Sequence, residues 1–232
     1  MDATGQYTRR ELAGLLEWWV EAGVDIAIHE EPRDWLKPAA RRAAAAPPNV
    51  AGPSHETLAE LRGWLASSLQ LPLASPSGRR ILPHGPENAE IMLLSDSPAL
   101  EDFASGQPIG GDAWVLAGRM LAAIGLSADA AYSASLSCFP AAGTRMSEDD
   151  RAECAEIARK HIELAKPGRL VLFGDGPCRA LLGQSLVEAR GHVHKIAGVR
   201  AVATFHPRWL LQRPGDKAKA WADLLLLMED QN

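Results

Sequence analysis

Apolar residues recur along the chain in two rhythms. In residues 8–23, Leu12, Leu15, Leu16, Trp19 and Val20 fall at helical spacing until Gly23 stops the run. A second, weaker helical piece covers Pro32 to Ala45. Residues 43–54, AAAAPPNVAGPS, lose all periodicity and read as a linker. Helix resumes at Ser54, with Leu58, Leu61, Leu65 and Leu69 in one stripe, and Pro72 closes it. From Ala89 onward the rhythm changes, as short apolar runs of strand character alternate with longer helical stretches. Strands are predicted over Ala89–Ser95, Ala131–Ser137 and Arg169–Gly174, and a fourth begins at Val199 and ends at Thr204-Phe205. Helices are predicted over Ala113–Ile124, from Ser147 to Ala165, over Pro177–Leu182 and over Trp221–Met228. The acids Glu148, Asp149 and Asp150 suit the first turn of the second of these, where the helix dipole favours negative charge.

Strands separated by helices of ten or more residues pair in parallel and carry helices on both faces. The expected architecture is α/β, a three-layer α/β/α sandwich around a central, mostly parallel sheet of about four strands. Residues 1–50 are expected to form a helical extension and linker, and residues 51–232 the α/β domain.

Composition narrows the function without naming it. The chain has 232 residues, 47% of them hydrophobic, and a formal net charge of −5. That balance gives no global electrostatic case for a nucleic-acid partner, so any basic face has to be local. No run of 18 apolar residues exists, which argues against a membrane span, and the N-terminus lacks the apolar core of a secretory signal. The expected compartment is the cytoplasm. Cys138, Cys154 and Cys178 make neither an even disulfide framework nor a CxxC pair, so reduced thiols are expected. His161, His192 and His194 show no metal-ligand spacing.

The candidate chemistry starts at the fourth strand. His206-Pro207 turns the chain sharply at its carboxyl end, where an open α/β sheet presents its reactive groups. A turn-capping histidine explains the same pair of residues. Asp175-Gly176, in FGDGP, likewise suits either an anion or an ordinary strand-to-helix turn.

Three pieces in order then resemble the uracil-DNA glycosylase superfamily, most closely its bacterial iron–sulfur members (family 4). Ile91 to Gly111, IMLLSDSPALEDFASGQPIGG, is similar to that family's first strand, GEAPG-type water-activating loop and GxPFxG base loop. Ser135 to Glu156 is similar to the N-x-x-K-C-x-P strand end and the cysteine of the next helix. Thr204 to Trp221, TFHPRWLLQRPGDKAKAW, is similar to the HPSxLL loop and the basic helix after it. The resemblance covers roughly residues 55–232 and makes 51–232 a glycosylase-like domain.

The resemblance implies DNA N-glycosylase (hydrolase) chemistry, base excision in DNA repair, with DNA as partner and single- and double-stranded substrates both open. Such an enzyme takes a base out of the stack, stabilises charge growing on the departing base and places a water beside the sugar. Carried over position by position, Asp96 orients the water and His206 donates to the base oxygen. A donor of that kind lowers a barrier by about 3–4 kcal/mol. Ser95, Ser97, Pro98, Ile109 and Ala134 fall at the base pocket, and Arg208, Arg213, Lys217 and Lys219 at the phosphates. The family's Glu is here the shorter Asp96, its stacking Phe is Ile109, its base-reading Asn is Ala134, and its HPS serine is Arg208. Only Cys138 and Cys154 stand at remnant cluster-ligand positions; the other two fall near Ser68 and Leu71, so no cofactor or metal is expected.

Two readings stay open at this stage. One is a glycosylase for uracil or another damaged base with an altered pocket. The other is an inactive relative serving as a DNA-binding or protein-interaction module. In the second, Trp18, Trp19 and Trp35 are either partner anchors or core of the extension. The basic residues after His206 are either phosphate grips or the solvated face of the last helix.

Overall fold

The computed structural model describes residues 55–75, 78–141 and 146–229. The expected helices over 8–23 and 32–45, the linker at 43–54 and the three N-terminal tryptophans lie outside these residues. Helix α1 (Leu58–Ser67) opens with a capping box: Thr57 Oγ1 accepts from the Glu60 N–H, and the Glu60 carboxylate accepts from the Thr57 N–H. The chain then runs through β1 (Ile91–Ser95), α2 (Asp102–Ser105), α3 (Gly111–Ala123), β2 (Ala131–Ser135) and α4 (Glu148–Ala165). It continues through β3 (Arg169–Phe173), α5 (Asp175–Leu182), α6 (Leu186–Ala189), β4 (Val193–Ile196), β5 (Val199–Thr204), α7 (Pro207–Gln212) and α8 (Lys217–Met228).

The five strands of the described residues form one sheet in the order β2-β1-β3-β5-β4, parallel throughout except β4. Strand alternation divides its side chains cleanly. Met92, Leu94, Tyr132, Leu170, Leu172, Ala201 and Ala203 meet α4, α5 and α6 on one face. Ile91, Leu93, Val171, Phe173 and Val202 meet α3 and α8 on the other. The sheet is thus buried on both sides, as parallel sheets are, and the expected three-layer α/β/α sandwich is the observed fold. A third apolar cluster, Leu61, Leu65, Leu71, Cys138, Phe139 and Ile157, holds α1 against α4.

The sheet has one strand more than the four expected. VHKI makes an antiparallel edge joined to β5 by a two-residue turn, with Ala197 at φ +47° and Gly198 at φ +83°. Both central residues of that turn are left-handed, as a hairpin that follows the sheet's twist demands. The strand escaped the apolar pattern because only Ile196 is buried.

Candidate functional site

Strand order locates the crevice. From β1 the chain passes to β2 on one side, and from β2 it crosses back to β3 on the other side of β1. The connections therefore diverge between β1 and β3, and in open α/β sheets ligands bind beyond the carboxyl ends of the strands at such a point. Asp96 follows β1 directly, Gly174 follows β3, and His206 stands two residues beyond β5. Their strand ends are level, since Leu94 pairs with Leu172 and Phe173 with Thr204.

Asp96 is open to solvent on one side and crowded on the others. That crowding raises its pKa above the usual carboxylate range; Asp175 adds to the rise, and Arg151 opposes it. Helix α5 begins beside it. A Cβ on Gly176 would lie 2.5 Å from both Asp96 carboxylate oxygens, so the missing side chain is what lets the acid sit there.

His206 is the N-cap of α7, with Pro207 at the first helical position. Its Nδ1 accepts the Arg208 N–H at 3.1 Å, which requires Nδ1 to be unprotonated. Burial, helped by the Arg208 guanidinium, pushes its pKa down to about 3. The ring is therefore neutral at pH 7 and carries its proton on Nε2, which has no hydrogen-bond partner among the described residues. Phe173 meets the ring edge-on, with centroids 5.8 Å apart. Beside the turn, Arg190 lies over Phe205, Phe205 stacks parallel to Trp209, and Arg213 lies over Trp209. This column stiffens the turn that carries the histidine.

Asp102 ties these loops together, and the sequence reading assigned it no role. It is fully buried. Its Oδ2 accepts the Ala99 N–H at 2.7 Å, and its Oδ1 accepts the Gly110 N–H at 2.7 Å and the Arg208 guanidinium at 2.8 Å. One carboxylate thus pins the loop after β1, the start of α3 and the turn after β5. Its one local partner, the Ala99 N–H, lies three residues earlier, which is not the geometry of an ordinary Asx turn, so the sequence carried no clear signal for it.

The remaining expected residues are distributed unevenly. Ser95 and Pro98 are buried, and Ser97 is half-buried. Ser95 Oγ donates to the Ala134 carbonyl at 3.4 Å. Ile109 and Ala134 are both fully enclosed and belong to apolar clusters on opposite faces of the sheet. Neither offers surface to a ligand beside His206. Arg208 spends its guanidinium on Asp102 and Glu101. Lys219 pairs with Asp216 at 2.9 Å, while Arg213 and Lys217 are exposed beyond α7.

The three cysteines are buried free thiols. Burial pushes Cys138 up to about 11, and pushes Cys154 and Cys178 up to about 12. An iron–sulfur cluster is held by four ligands, only Cys138 and Cys154 stand at such positions, and Cys138 lies among Leu61, Leu65, Leu71 and Phe139. Leu71, at a position where the family has a ligand, fills the same cluster. Among the described residues no group of three His, Cys, Asp or Glu side chains is placed to hold a metal ion. The residues present do not fit an iron–sulfur cluster.

The comparisons with known proteins agree with this geometry. The profile described as "Uracil DNA glycosylase superfamily" matches residues 82–225, which run from before β1 into α8 and include Asp96 and His206. A "Type-4 uracil-DNA glycosylase" of Archaeoglobus fulgidus is 25% identical over 141 residues, covering 56% of this chain and 71% of that protein. Another of the same description, from Thermotoga maritima, is 22% identical over 144 residues, covering 60% of this chain and 75% of the relative. With the parallel sheet, the acid beyond β1 and the His-Pro turn beyond β5 all inside the matched span, the chain belongs to the uracil-DNA glycosylase superfamily.

Proposed function

We propose that the chain hydrolyses the N-glycosidic bond of a flipped, deaminated base in DNA, uracil being the first candidate. The observation that carries this reading is the state of His206: a neutral imidazole with Nδ1 occupied and its Nε2–H unspent among the described residues, at the carboxyl end of the sheet. Heterolysis of the bond leaves negative charge on the base oxygens and positive charge on the sugar. A neutral donor fixed in advance stabilises that growing charge without a proton transfer to or from the ring. Asp96 supplies the complementary group. Ionised, its carboxylate accepts a hydrogen bond from a water and directs it toward the anomeric carbon, where a bond to the water's oxygen replaces the broken bond to the base and the water's proton passes to the carboxylate. The names of the two relatives support uracil as the leaving group.

Base selection works differently from the family pattern. Ala134 has no side-chain donor or acceptor and Ile109 no aromatic face, and both are enclosed. A site that lacks the polar group reading a base loses discrimination by orders of magnitude. The reading therefore includes a broader choice among deaminated bases. Arg213 and Lys217, exposed just past α7, are the cations available to phosphates near the site.

The test is base release from oligonucleotides carrying uracil or hypoxanthine, single- and double-stranded, with enzyme in excess. Alkali-labile abasic sites are the expected product. Intact strands with every substrate after prolonged incubation overturn the proposal.

A further inference from the structure

The opposite end of the sheet carries a feature that the glycosylase reading does not use. Arg169 begins β3, Arg200 lies near the start of β5, and Lys195 lies near the end of β4. Arg169 pairs in register with Arg200, and Arg200 pairs with Lys195. All three alternate onto the face that holds Val171 and Val202, so three cations stand abreast on neighbouring strands about 5 Å apart. Like charges set directly opposite destabilise a sheet. Among the described residues, none of the three is within ion-pair distance of a carboxylate. Arg200 donates to the Leu226 carbonyl at 2.7 Å, in the last turn of α8, whose dipole offsets part of its charge. Its Nε is nonetheless buried with no partner.

The row lines a groove of about 610 Å³, with Val193, Leu227 and Glu229 on its rim. No Phe, Tyr or Trp is in its lining, and the imidazole of His194, which is, has its Nε2 held by the Ala189 carbonyl at 2.8 Å. Among the described residues Glu229 is the one acid on the rim, and it is exposed. We propose that this groove is a second, anion-binding site that takes adjacent phosphate groups, presented either by a DNA strand away from the flipped base or by a free oligophosphate. A ligand with charges at successive positions balances all three cations at once. The site recognises phosphate alone and is independent of base release.

The experiment titrates the full chain with sodium tripolyphosphate and, separately, with a uracil-free oligothymidylate, by calorimetry at a series of salt concentrations. The comparison is between wild type, Arg169→Gln/Lys195→Gln and His206→Ala. Arg200 is left in place because it anchors α8. The double variant is expected to lose tripolyphosphate binding. For the oligonucleotide, the slope of log K against log salt should fall by about 1.4, which is two contacts at about 0.7 each. His206→Ala should bind as wild type does. Tripolyphosphate binding identifies the free anion as sufficient, and binding of the strand alone, lost in the double variant, identifies the DNA backbone. The proposal is overturned if neither probe binds at low salt, if the double variant binds like wild type, or if His206→Ala removes the binding. Absence of base release in the glycosylase assay leaves each of these outcomes unchanged.

Discussion

Replacing Asp102 by Asn tests whether one buried carboxylate holds the site's three loops in place. The substitution keeps the shape of the side chain and removes its charge. The Asn carbonyl still accepts from the Gly110 N–H and the Arg208 guanidinium, which converge on Oδ1. The amide nitrogen then faces the Ala99 N–H, which donates to Oδ2 in the native protein. Two donors meet, one buried N–H is left unsatisfied, and that costs about 1–3 kcal/mol. Charge-assisted bonds are also about twice as strong as neutral ones, so the Arg208 contact weakens as well. A loss of about 2 kcal/mol corresponds to a fall in Tm of roughly 4–8 °C for a chain of this size. Denaturant melts at pH 7 measure the global loss, and amide exchange at Ala99 and Gly110 reads the local opening. A cycle with Arg208→Gln should show a coupling of about 1–3 kcal/mol, because the two side chains share the contact. If Asp102→Asn melts within about 0.5 kcal/mol of wild type with unchanged protection at Ala99 and Gly110, the pinning argument is wrong.

Three further expectations concern other parts of the molecule. Gly176→Ala introduces a Cβ within 2.5 Å of both Asp96 oxygens, and a carboxylate swings aside easily; stability should change by less than about 1 kcal/mol while base release falls as far as in Asp96→Asn. Equal activity in Gly176→Ala and wild type contradicts the placement of Asp96. His161 and His206 have pKa values depressed to about 3 by burial, against about 6.5 in the unfolded chain. The unfolded chain therefore binds more protons between these values, so stability is full above pH 6.5 and is lost as pH falls toward 3, at about 1.4 kcal/mol per pH unit for His161 alone. In melts between pH 6.5 and 5, His161→Gln should remove one proton from the slope; an unchanged slope refutes the burial argument. Finally, protein purified anaerobically should contain no iron, and a chelator should leave its Tm unaltered, since the apolar cluster around Cys138 occupies the ground a cluster would need. Stoichiometric iron with a chelator-sensitive Tm would show the opposite.

The parallel core was legible because each strand buried on both faces reads as an unbroken apolar run. Ile91 to Leu94 and Leu170 to Phe173 have only one packing solution of that kind. The edge strand β4 was not legible, since Val193, His194 and Lys195 keep substantial exposure and its turn is Ala-Gly rather than Asn-Gly. His206 and Asp96 were readable from their places at strand ends. Their electrical states were not, because the neutral form of His206 depends on a backbone N–H two residues on and on Phe173, 33 positions earlier in the chain. Asp102 was hidden for a related reason. Its partners Ala99, Gly110 and Arg208 belong to three loops, and only the folded sheet brings them to one point. Arg208, expected at the phosphates, has two carboxylate partners within the protein, which a charge count along the sequence does not reveal.

The central claim is that a neutral His206 donates to the departing base. Single-turnover release of uracil from a single-stranded oligonucleotide, compared between wild type and His206→Ala, tests it most directly. Abasic product from wild type, formed at least about 100-fold more slowly by His206→Ala with unchanged melting of the protein, is the predicted result. Product formed equally fast by both proteins, or by neither, contradicts it.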